Sequence, residues 1–355
     1  ARDRANRFAL DGYFDDKGNY HKGALADAEQ EVKDAQDEYD AARKNPSAYE
    51  PRSGHMGSEE RAAKEKLDRA LEKYEDLKAI KKETDNDVRM LKGLAPTYLL
   101  DFNYDEKYHR TTAIVSAGNP DTATHVSTLV PGIGTNVRGD LDYYMEFNDR
   151  LRKQTKHAGI DPNNVATISY LGYVAPKNQG IDKVQASDIG YADRAAPKLA
   201  RFEEGLRASG NATGHSFTNT LIGHSYGSTT SGKSMTLVAP DTIDAYNVSR
   251  KHVYVSSIPT SDAVQDLNTF TPSGFGSDPR YLDGITHLSG DVTDSENYVP
   301  PRVPPIDDNP LIHQAYRFVH ALDHHMAYFD EGTRTSQDFA NIVAGANQTT
   351  DKEWA

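Results

Sequence analysis

A five-residue turn, Gly223-His224-Ser225-Tyr226-Gly227, is the feature that most restricts how this chain can fold. It follows an apolar segment, Asn219 to Gly223 (NTLIG), and precedes a helical pattern over Ser228 to Val238. A strand that turns directly into a helix forces the central residue, Ser225, into a strained backbone conformation. The flanking glycines let the neighbouring backbone approach closely. The pattern therefore predicts a tight strand-turn-helix that presents Ser225 as a nucleophile.

The alternation of strands and helices continues on both sides of this turn. The predicted strands are Thr112 to Ser116, His125 to Val130, Val165 to Tyr170, Asn219 to Gly223, Val253 to Ser257 and Gly284 to Ser289. The predicted helices are 140–153, 191–209, 228–238 and 337–343. Strands that alternate with helices build a mostly parallel sheet covered by helices on both faces. The sequence therefore predicts an α/β fold for residues 98–355.

Residues 1–97 have a different character, because Glu, Asp, Lys and Ala dominate there. Apolar side chains recur at alternating spacings of three and four, which is the pattern of helices that pack along a narrow seam. The first seam is Leu25, Ala28, Val32, Ala35, Tyr39 and Ala42; the second is Ala63, Leu67, Ala70, Tyr74 and Leu77, continuing at Thr84, Val88 and Leu91. Prolines and glycines separate the two. The pattern predicts a coiled-coil-like helical hairpin, a separate arm before the 98–355 domain.

Composition excludes several classes of function. Lys and Arg total 40 against 53 Asp and Glu, a formal net charge of −13, which argues against nucleic-acid binding because such a surface does not neutralise phosphates. No apolar run approaches the roughly 18 residues that a membrane-spanning helix needs. The chain contains no cysteine, so disulfides, zinc-thiolate sites and a cysteine nucleophile are all excluded.

A catalytic serine requires a base and an acid that orients the base, and in this topology both follow the serine in the chain. The acid is expected directly after a later strand. Asp291 stands two residues after the last predicted strand, and Asp294 and Glu296 are the alternatives. For the base, His324 and His325 lie before the final predicted helix, and spacing alone does not separate them.

Stabilising an oxyanion requires two backbone N–H donors. One is expected from Tyr226, the residue after the serine. The other is expected from the glycine-rich loop Pro131 to Thr135 (PGIGT), which follows an early strand. Ile133 is the predicted donor in this loop, and Gly134 is the alternative.

Several of these segments resemble an actinobacterial branch of the α/β-hydrolase superfamily, the former domain of unknown function 1023. The matching segments are LVPGIGT (129–135), ISYLGY (168–173), LIGHSYGS (221–228), SGD (289–291) and HMAYFDEGTRTSQDFANIVAG (325–345). In that family the histidine precedes a Tyr-Phe pair by three residues, which here corresponds to His325. The family often continues its Gly-Asp with Pro, whereas Val292 follows here. The resemblance implies a triad of Ser225, Asp291 and His325.

The chemistry implied is hydrolysis of a small-molecule or lipid-like ester through an acyl-enzyme, with no metal or organic cofactor. Two other hypotheses use the same sequence: an acyltransferase, in which an alcohol replaces water, and a non-catalytic cell-surface binding module. The resemblance favours a secreted or cell-surface location over a cytoplasmic one. Residue 1 is Ala rather than Met, which is compatible with a leader that has been removed. The helical hairpin is a candidate docking element for a protein or envelope partner.

Overall fold

The computed structural model describes residues 1–44, 56–177, 189–238, 252–256, 284–291 and 327–347. Its helices are α1 (Arg2–Asp11), α2 (Ala24–Lys44), α3 (Ser58–Glu83), α4 (Asn86–Leu91), α5 (Val137–Gln154), α6 (Gly190–Thr213), α7 (Tyr226–Val238) and α8 (Arg334–Val343). Its strands are β1 (Tyr13–Phe14), β2 (Tyr20–His21), β3 (Thr97–Asp105), β4 (Arg110–Ala117), β5 (His125–Val130), β6 (Val165–Leu171), β7 (Thr218–Gly223), β8 (Tyr254–Val255) and β9 (Thr286–His287). Two compact units divide the chain: Ala1–Val115 with Asn136–Tyr143, and Ser116–Thr135 with Tyr144–Ala355.

The first unit contains the predicted helical hairpin, which α2 and α3 form. A narrow apolar seam joins the two helices: Ala35, Leu67 and Ala70 are buried, and Val32 and Tyr39 pack beside them. Ion pairs from Lys66 to Glu38 and from Lys73 to Glu31 connect the charged flanks of the helices. The spacing of three and four places the seam residues on one face of each helix, so the hairpin prediction is confirmed.

The predicted continuation of the second seam at Thr84, Val88 and Leu91 is wrong. Helix α3 ends before Thr84, whose hydroxyl donates a hydrogen bond to the carbonyl oxygen of Ile80 at 2.8 Å. Asp85 then caps α4 with its side chain, and Val88 and Leu91 are 43% and 86% exposed. The cap starts a new helix after a break, so the apolar residues of α4 do not extend the seam.

The first unit extends beyond the predicted arm. It also contains β3 and most of β4, which a four-residue turn at 106–109 connects. The sequence pattern does not indicate β3, because polar residues such as Asp101 and Asn103 interrupt its apolar residues. The limits of this unit do not coincide with residue 97, and the division into domains 1–97 and 98–355 stays a prediction.

The sheet confirms the α/β fold. Its strand order is β3-β4-β6-β5-β7. Strand β5 is parallel to both of its neighbours, β6 and β7. Every residue of β6 is buried, and so is every residue of β5 after His125, as expected for parallel strands that are covered on both faces.

The register of β5 and β7 determines what meets at the edge of the sheet. Val130, the last residue of β5, pairs with Gly223, the last residue of β7. Because the two strands are parallel, their carboxyl ends lie at the same edge, where ligand sites form in open α/β sheets. The loop after β5 and the turn after β7 therefore leave the sheet side by side.

Two further strands are shorter than the sequence predicts. Strands β8 and β9 form a parallel pair of two residues each, in which Tyr254 pairs with Thr286 and Val255 with His287.

Within the described ranges, no helix has the length and apolar character needed to cross a membrane.

Candidate active site

Ser225 occupies the turn between β7 and α7. Its φ of 56° lies in the left-handed region, which residues with a side chain seldom adopt. Backbone hydrogen bonds hold the turn on both sides of the serine. The N–H of His224 donates to the carbonyl oxygen of Val130 at 3.0 Å, and the N–H of Gly227 donates to that of His224 at 2.8 Å. The predicted strand-turn-helix is therefore present, with its strain concentrated at Ser225.

The two flanking glycines are required by close backbone contacts. A Cβ atom on Gly227 would lie 2.1 Å from the carbonyl oxygen of Val130. A Cβ atom on Gly223 would lie 2.6 Å from the Cα atom of Ser228. Both distances are shorter than any van der Waals contact, so a side chain at either position would push α7 away from the ends of β5 and β7.

The glycine-rich loop after β5 lies directly against Ser225. A Cβ atom on Gly132 would be 2.7 Å from the Cβ atom of Ser225 and 3.1 Å from its Oγ atom. Only a residue without a side chain fits at position 132, because a larger one would clash with Ser225. The structure thus brings together Ser225 and the loop in which the sequence predicts an oxyanion donor.

Hydrogen bonds within this loop distinguish the two candidate donors. The N–H of Gly134 already donates to the carbonyl oxygen of Pro176 at 2.7 Å. The hydroxyl of Thr135 donates to the carbonyl oxygen of Gly132 at 2.9 Å. Among the described residues, none accepts a hydrogen bond from the N–H of Ile133. These contacts favour Ile133 over Gly134 as the residue that can donate to an oxyanion.

Tyr226, the other predicted donor, is the first residue of α7. Its ring is 1% exposed, and its hydroxyl oxygen accepts a hydrogen bond from the N–H of Ala192 at 3.1 Å. The buried side chain therefore anchors the first turn of the helix. The N-terminus of a helix carries a partial positive charge, which stabilises negative charge that develops near it.

Asp291 lies four residues after the end of β9 and contacts α8. Gly290 before it has a φ of 61°, a conformation that turns the chain sharply. The carbonyl oxygen of Asp291 accepts hydrogen bonds from the backbone N–H and the hydroxyl of Thr335, at 3.2 and 3.0 Å. These two bonds attach the backbone of Asp291 to the first turn of α8, and its side chain is half-buried.

The other candidate acids and bases, Asp294, Glu296, His324 and His325, lie outside the described residues. The chain is described again from Ala327, in a short 3-10 helix that ends at Phe329. Phe329 packs against the ring of His224 with centroids 4.8 Å apart, and against Phe147 at 4.4 Å. The segment after the candidate histidines therefore packs on the residue that precedes Ser225.

Tyr173 also lies at the site, although its sequence pattern does not indicate a role there. Its buried hydroxyl donates a hydrogen bond to the carbonyl oxygen of Pro131, at the start of the glycine-rich loop. Burial raises the pKa of this hydroxyl well above its usual range, so it stays a donor at neutral pH. Thr135 and Pro176 were missed in the same way. Only their occurrence in or beside the segments LVPGIGT and ISYLGY could have indicated them.

No group of three or more His, Cys, Asp or Glu residues suited to a metal ion occurs in the part of the chain that the structure describes. Among the described residues, backbone amides and hydroxyls make hydrogen bonds in the turn at Ser225 and in the glycine-rich loop. Such groups suit a reaction in which an oxygen atom acquires negative charge.

Part of this chain is similar to a known protein family. Residues 107–256 match a family described as "Alpha/beta hydrolase". Two relatives are the uncharacterized proteins MT2140 and Rv2079 of Mycobacterium tuberculosis, from strains CDC 1551 and H37Rv. Each is 30% identical to this chain over 162 residues, which is 45% of this chain and 24% of the relative. The chain thus matches about a quarter of the length of these relatives. No solved structure is significantly similar to it.

The matched region contains β5, β6, β7, the glycine-rich loop and the turn at Ser225. Three of the segments that carry the resemblance in the sequence, LVPGIGT, ISYLGY and LIGHSYGS, lie within it. Residues 107–256 of this chain are thus similar to the α/β-hydrolase family.

Proposed function

We propose that this protein is a serine hydrolase that cleaves carboxylic esters through an acyl-enzyme on Ser225. One observation supports the proposal most strongly. Ser225 is held at a φ of 56° between β7 and α7, and Gly132 lies so close that a Cβ atom on it would be 2.7 Å from the Cβ atom of Ser225. A strained, half-buried serine beside a glycine-rich loop suits nucleophilic attack on a carbonyl carbon, with backbone amides placed for the oxyanion.

The proposed reaction begins when Oγ of Ser225 attacks the ester carbonyl carbon and His325 accepts the serine proton. The carbonyl oxygen becomes an oxyanion that accepts hydrogen bonds from the N–H groups of Ile133 and Tyr226. The C–O bond to the alcohol then breaks, and the proton on His325 passes to the leaving alcohol. Water repeats the cycle on the acyl-enzyme, releasing the carboxylic acid and restoring the serine hydroxyl. Asp291 orients His325 and stabilises its protonated form.

Two described contacts are consistent with this assignment of the base and the acid. The 3-10 helix that begins two residues after His325 packs on His224, the neighbour of Ser225. The same stretch of chain continues into α8, whose first turn binds the backbone of Asp291 through Thr335. Asp291 and the 3-10 helix therefore belong to the same unit as Ser225, and a triad requires its members to lie together.

The substrate is proposed at the level of chemical class: a small-molecule or lipid-like carboxylic ester. The relatives are uncharacterized, and this chain covers 24% of their length, so they do not indicate which ester is the substrate. Activity against acyl esters of increasing chain length would identify the preferred acyl group.

Labelling with a fluorophosphonate probe tests the proposal, because the probe reacts with an activated serine. We expect the wild-type protein to be labelled and to hydrolyse short acyl esters. Ser225→Ala should abolish labelling and reduce turnover by about 10⁴-fold or more, since loss of a triad nucleophile leaves only the oxyanion hole and substrate binding. Ser209→Ala is the matched control, because Ser209 is a half-buried serine on α6 whose hydroxyl donates a hydrogen bond to Asp121.

A wild-type protein that is neither labelled nor active toward esters of any chain length would refute the proposal. Equal labelling of the wild-type protein and Ser225→Ala would refute Ser225 as the nucleophile. Adding an alcohol and measuring how the acyl group partitions between acid and new ester separates hydrolysis from acyl transfer.

A further inference from the structure

The glycine-rich loop beside Ser225 is fixed by three hydrogen bonds, one for each of three consecutive peptide units. Tyr173 donates to the carbonyl oxygen of Pro131, Thr135 donates to that of Gly132, and the N–H of Gly134 donates to Pro176. Each bond restrains the rotation of one peptide plane. The loop is therefore preorganised by its surroundings, although two of its residues are glycines.

The bond from Thr135 fixes the peptide unit that contains the N–H of Ile133. In a trans peptide the C=O of one residue and the N–H of the next point in opposite directions. The carbonyl group of Gly132 points toward the Thr135 hydroxyl at 2.9 Å, so the N–H of Ile133 is directed to the opposite side. The hydroxyl reaches back three residues within the loop, an arrangement in which Thr side chains stabilise turns.

The neighbouring peptide unit cannot replace this donor. The N–H of Gly134 is occupied by the carbonyl oxygen of Pro176 at 2.7 Å, and its φ of 76° belongs to the left-handed region. Rotating this unit toward Ser225 would break that bond. The orientation of the N–H of Ile133 therefore depends on the hydroxyl of Thr135.

We propose that Thr135 is a positioning residue, whose hydroxyl aligns the Ile133 N–H for the oxyanion that forms during attack by Ser225. This inference rests on the proposed serine-hydrolase function and deepens it. The oxyanion develops only as the ester carbonyl is attacked, so a misaligned donor affects the transition state far more than the bound substrate. Loss of the Thr135 hydroxyl should therefore lower kcat and leave KM nearly unchanged.

The test compares Thr135→Val, which removes the hydroxyl at nearly constant shape, with Thr135→Ser, which keeps it. Removing a whole oxyanion donor costs about 10²–10³ in kcat, so misalignment of one should cost about 10- to 100-fold. We expect this loss for Thr135→Val with KM within about twofold, and recovery of most of the activity in Thr135→Ser. A boronic acid that forms a tetrahedral adduct with the serine should lose affinity for Thr135→Val by the same factor as kcat/KM.

Thr213→Val is the matched control. Its hydroxyl also donates to the carbonyl oxygen three residues earlier, that of Gly210 at 3.0 Å, but at the exposed end of α6. We expect wild-type kcat for this variant. Thermal midpoints of all variants show whether a loss of activity reflects a loss of folding. If Thr135→Val does not fold, Thr135→Ala removes the same hydroxyl without adding a branched apolar group and replaces it in the comparison.

The outcomes separate the two proposals. An inert and unlabelled wild-type protein would refute the serine-hydrolase function, and the role of Thr135 with it. An active wild-type protein together with wild-type kcat in Thr135→Val would overturn the role of Thr135 alone. The role would also be overturned if Thr135→Ser were as impaired as Thr135→Val, or if the whole effect lay in KM.

Discussion

Gly132 shows at the scale of one residue how closely the candidate site is packed. A Cβ atom there would lie 2.7 Å from the Cβ atom of Ser225, so Gly132→Ala must displace either the loop or the serine. A displacement of about 1 Å near reacting atoms can cost about 10²-fold in rate. We expect Gly132→Ala to lower kcat/KM toward short acyl esters by about 100-fold or more, measured by steady-state kinetics.

The matched control for this substitution is Gly205→Ala. A Cβ atom on Gly205 would meet no other atom within 4 Å, and the residue lies inside α6. Alanine in a helix is more stable than glycine by about 1 kcal/mol, so Gly205→Ala should keep wild-type activity and unfold at a slightly higher temperature. Wild-type kcat/KM in Gly132→Ala would show that the loop does not need its contact with Ser225.

Glu203 gives the second unit a pH dependence of stability. It is 4% exposed on α6, and one of its carboxylate oxygens accepts a hydrogen bond from the side chain of Asn219 at 2.6 Å. Burial raises the pKa of this carboxyl above its ordinary value of 4.5, although the bond from Asn219 partly opposes the shift. A group whose pKa is raised by folding contributes stability that is lost as the pH rises through the raised pKa.

We therefore expect the thermal midpoint of the wild-type protein to decrease, relative to Glu203→Gln, as the pH rises above about 4.5. A difference in stability of about 1 kcal/mol would correspond to about 2–4 °C in a domain of this size, which thermal unfolding resolves. The glutamine keeps an acceptor for Asn219 but does not ionise. Glu204→Gln, an exposed neighbour, is the control and should leave the pH profile unchanged. Parallel profiles for the wild-type protein and Glu203→Gln would contradict this assignment.

At the scale of elements, the helical hairpin depends on few apolar side chains. Leu67 is 5% exposed in the seam between α2 and α3, whereas Leu71, one turn later on α3, is 38% exposed. Replacing a buried leucine by alanine costs about 2–5 kcal/mol, and the narrow seam offers little else to compensate. The hairpin should therefore be much more sensitive to truncation at Leu67 than at Leu71.

Hydrogen exchange of the backbone amides in α2 and α3 measures this difference directly. We expect Leu67→Ala to increase exchange in both helices by about 30-fold or more, given at least 2 kcal/mol of lost stability and roughly 1.4 kcal/mol per tenfold change. Leu71→Ala should increase it only slightly. Equal exchange in the two variants would mean that the seam does not hold the hairpin together.

The seamed helices α2 and α3 and the central strands were predictable from their apolar residues. Strand β6 (VATISYL) contains β-branched and aromatic residues and no charged residue, and the seams of α2 and α3 follow heptad spacing. Helix α4 and strand β3 were not, because their residues depend on local capping and on pairing with neighbours. Asp85 restarts a helix where periodicity alone continues the previous one.

At the scale of the whole molecule, the low apolar share of 37% reflects the composition of its parts. Helix α2 buries only Ala28 and Ala35 among its 21 residues, whereas β4, β5 and β6 are buried almost throughout. The charged hairpin therefore lowers an average that the hydrolase region does not share.

Part of the candidate site was predictable from the sequence. Ser225 and the loop that contains Ile133 lie in short motifs directly after strands, where sequence alone indicates a site. The residues that hold this loop in place do not lie in such motifs. Tyr173 contacts Pro131 across 42 positions of sequence, and such a contact follows only from the parallel register of the sheet.

The contact between Gly132 and Ser225 also limits how this protein could be evolved for new substrates. Position 132 has no room for a side chain. The side chain of Ile133, by contrast, is half-exposed, and the proposed donor at this position is the backbone N–H rather than the side chain. A library that randomises both positions and is selected for hydrolysis of a different acyl ester should return glycine at 132 and diverse residues at 133. Neighbouring positions of one loop would then differ completely in their freedom to vary.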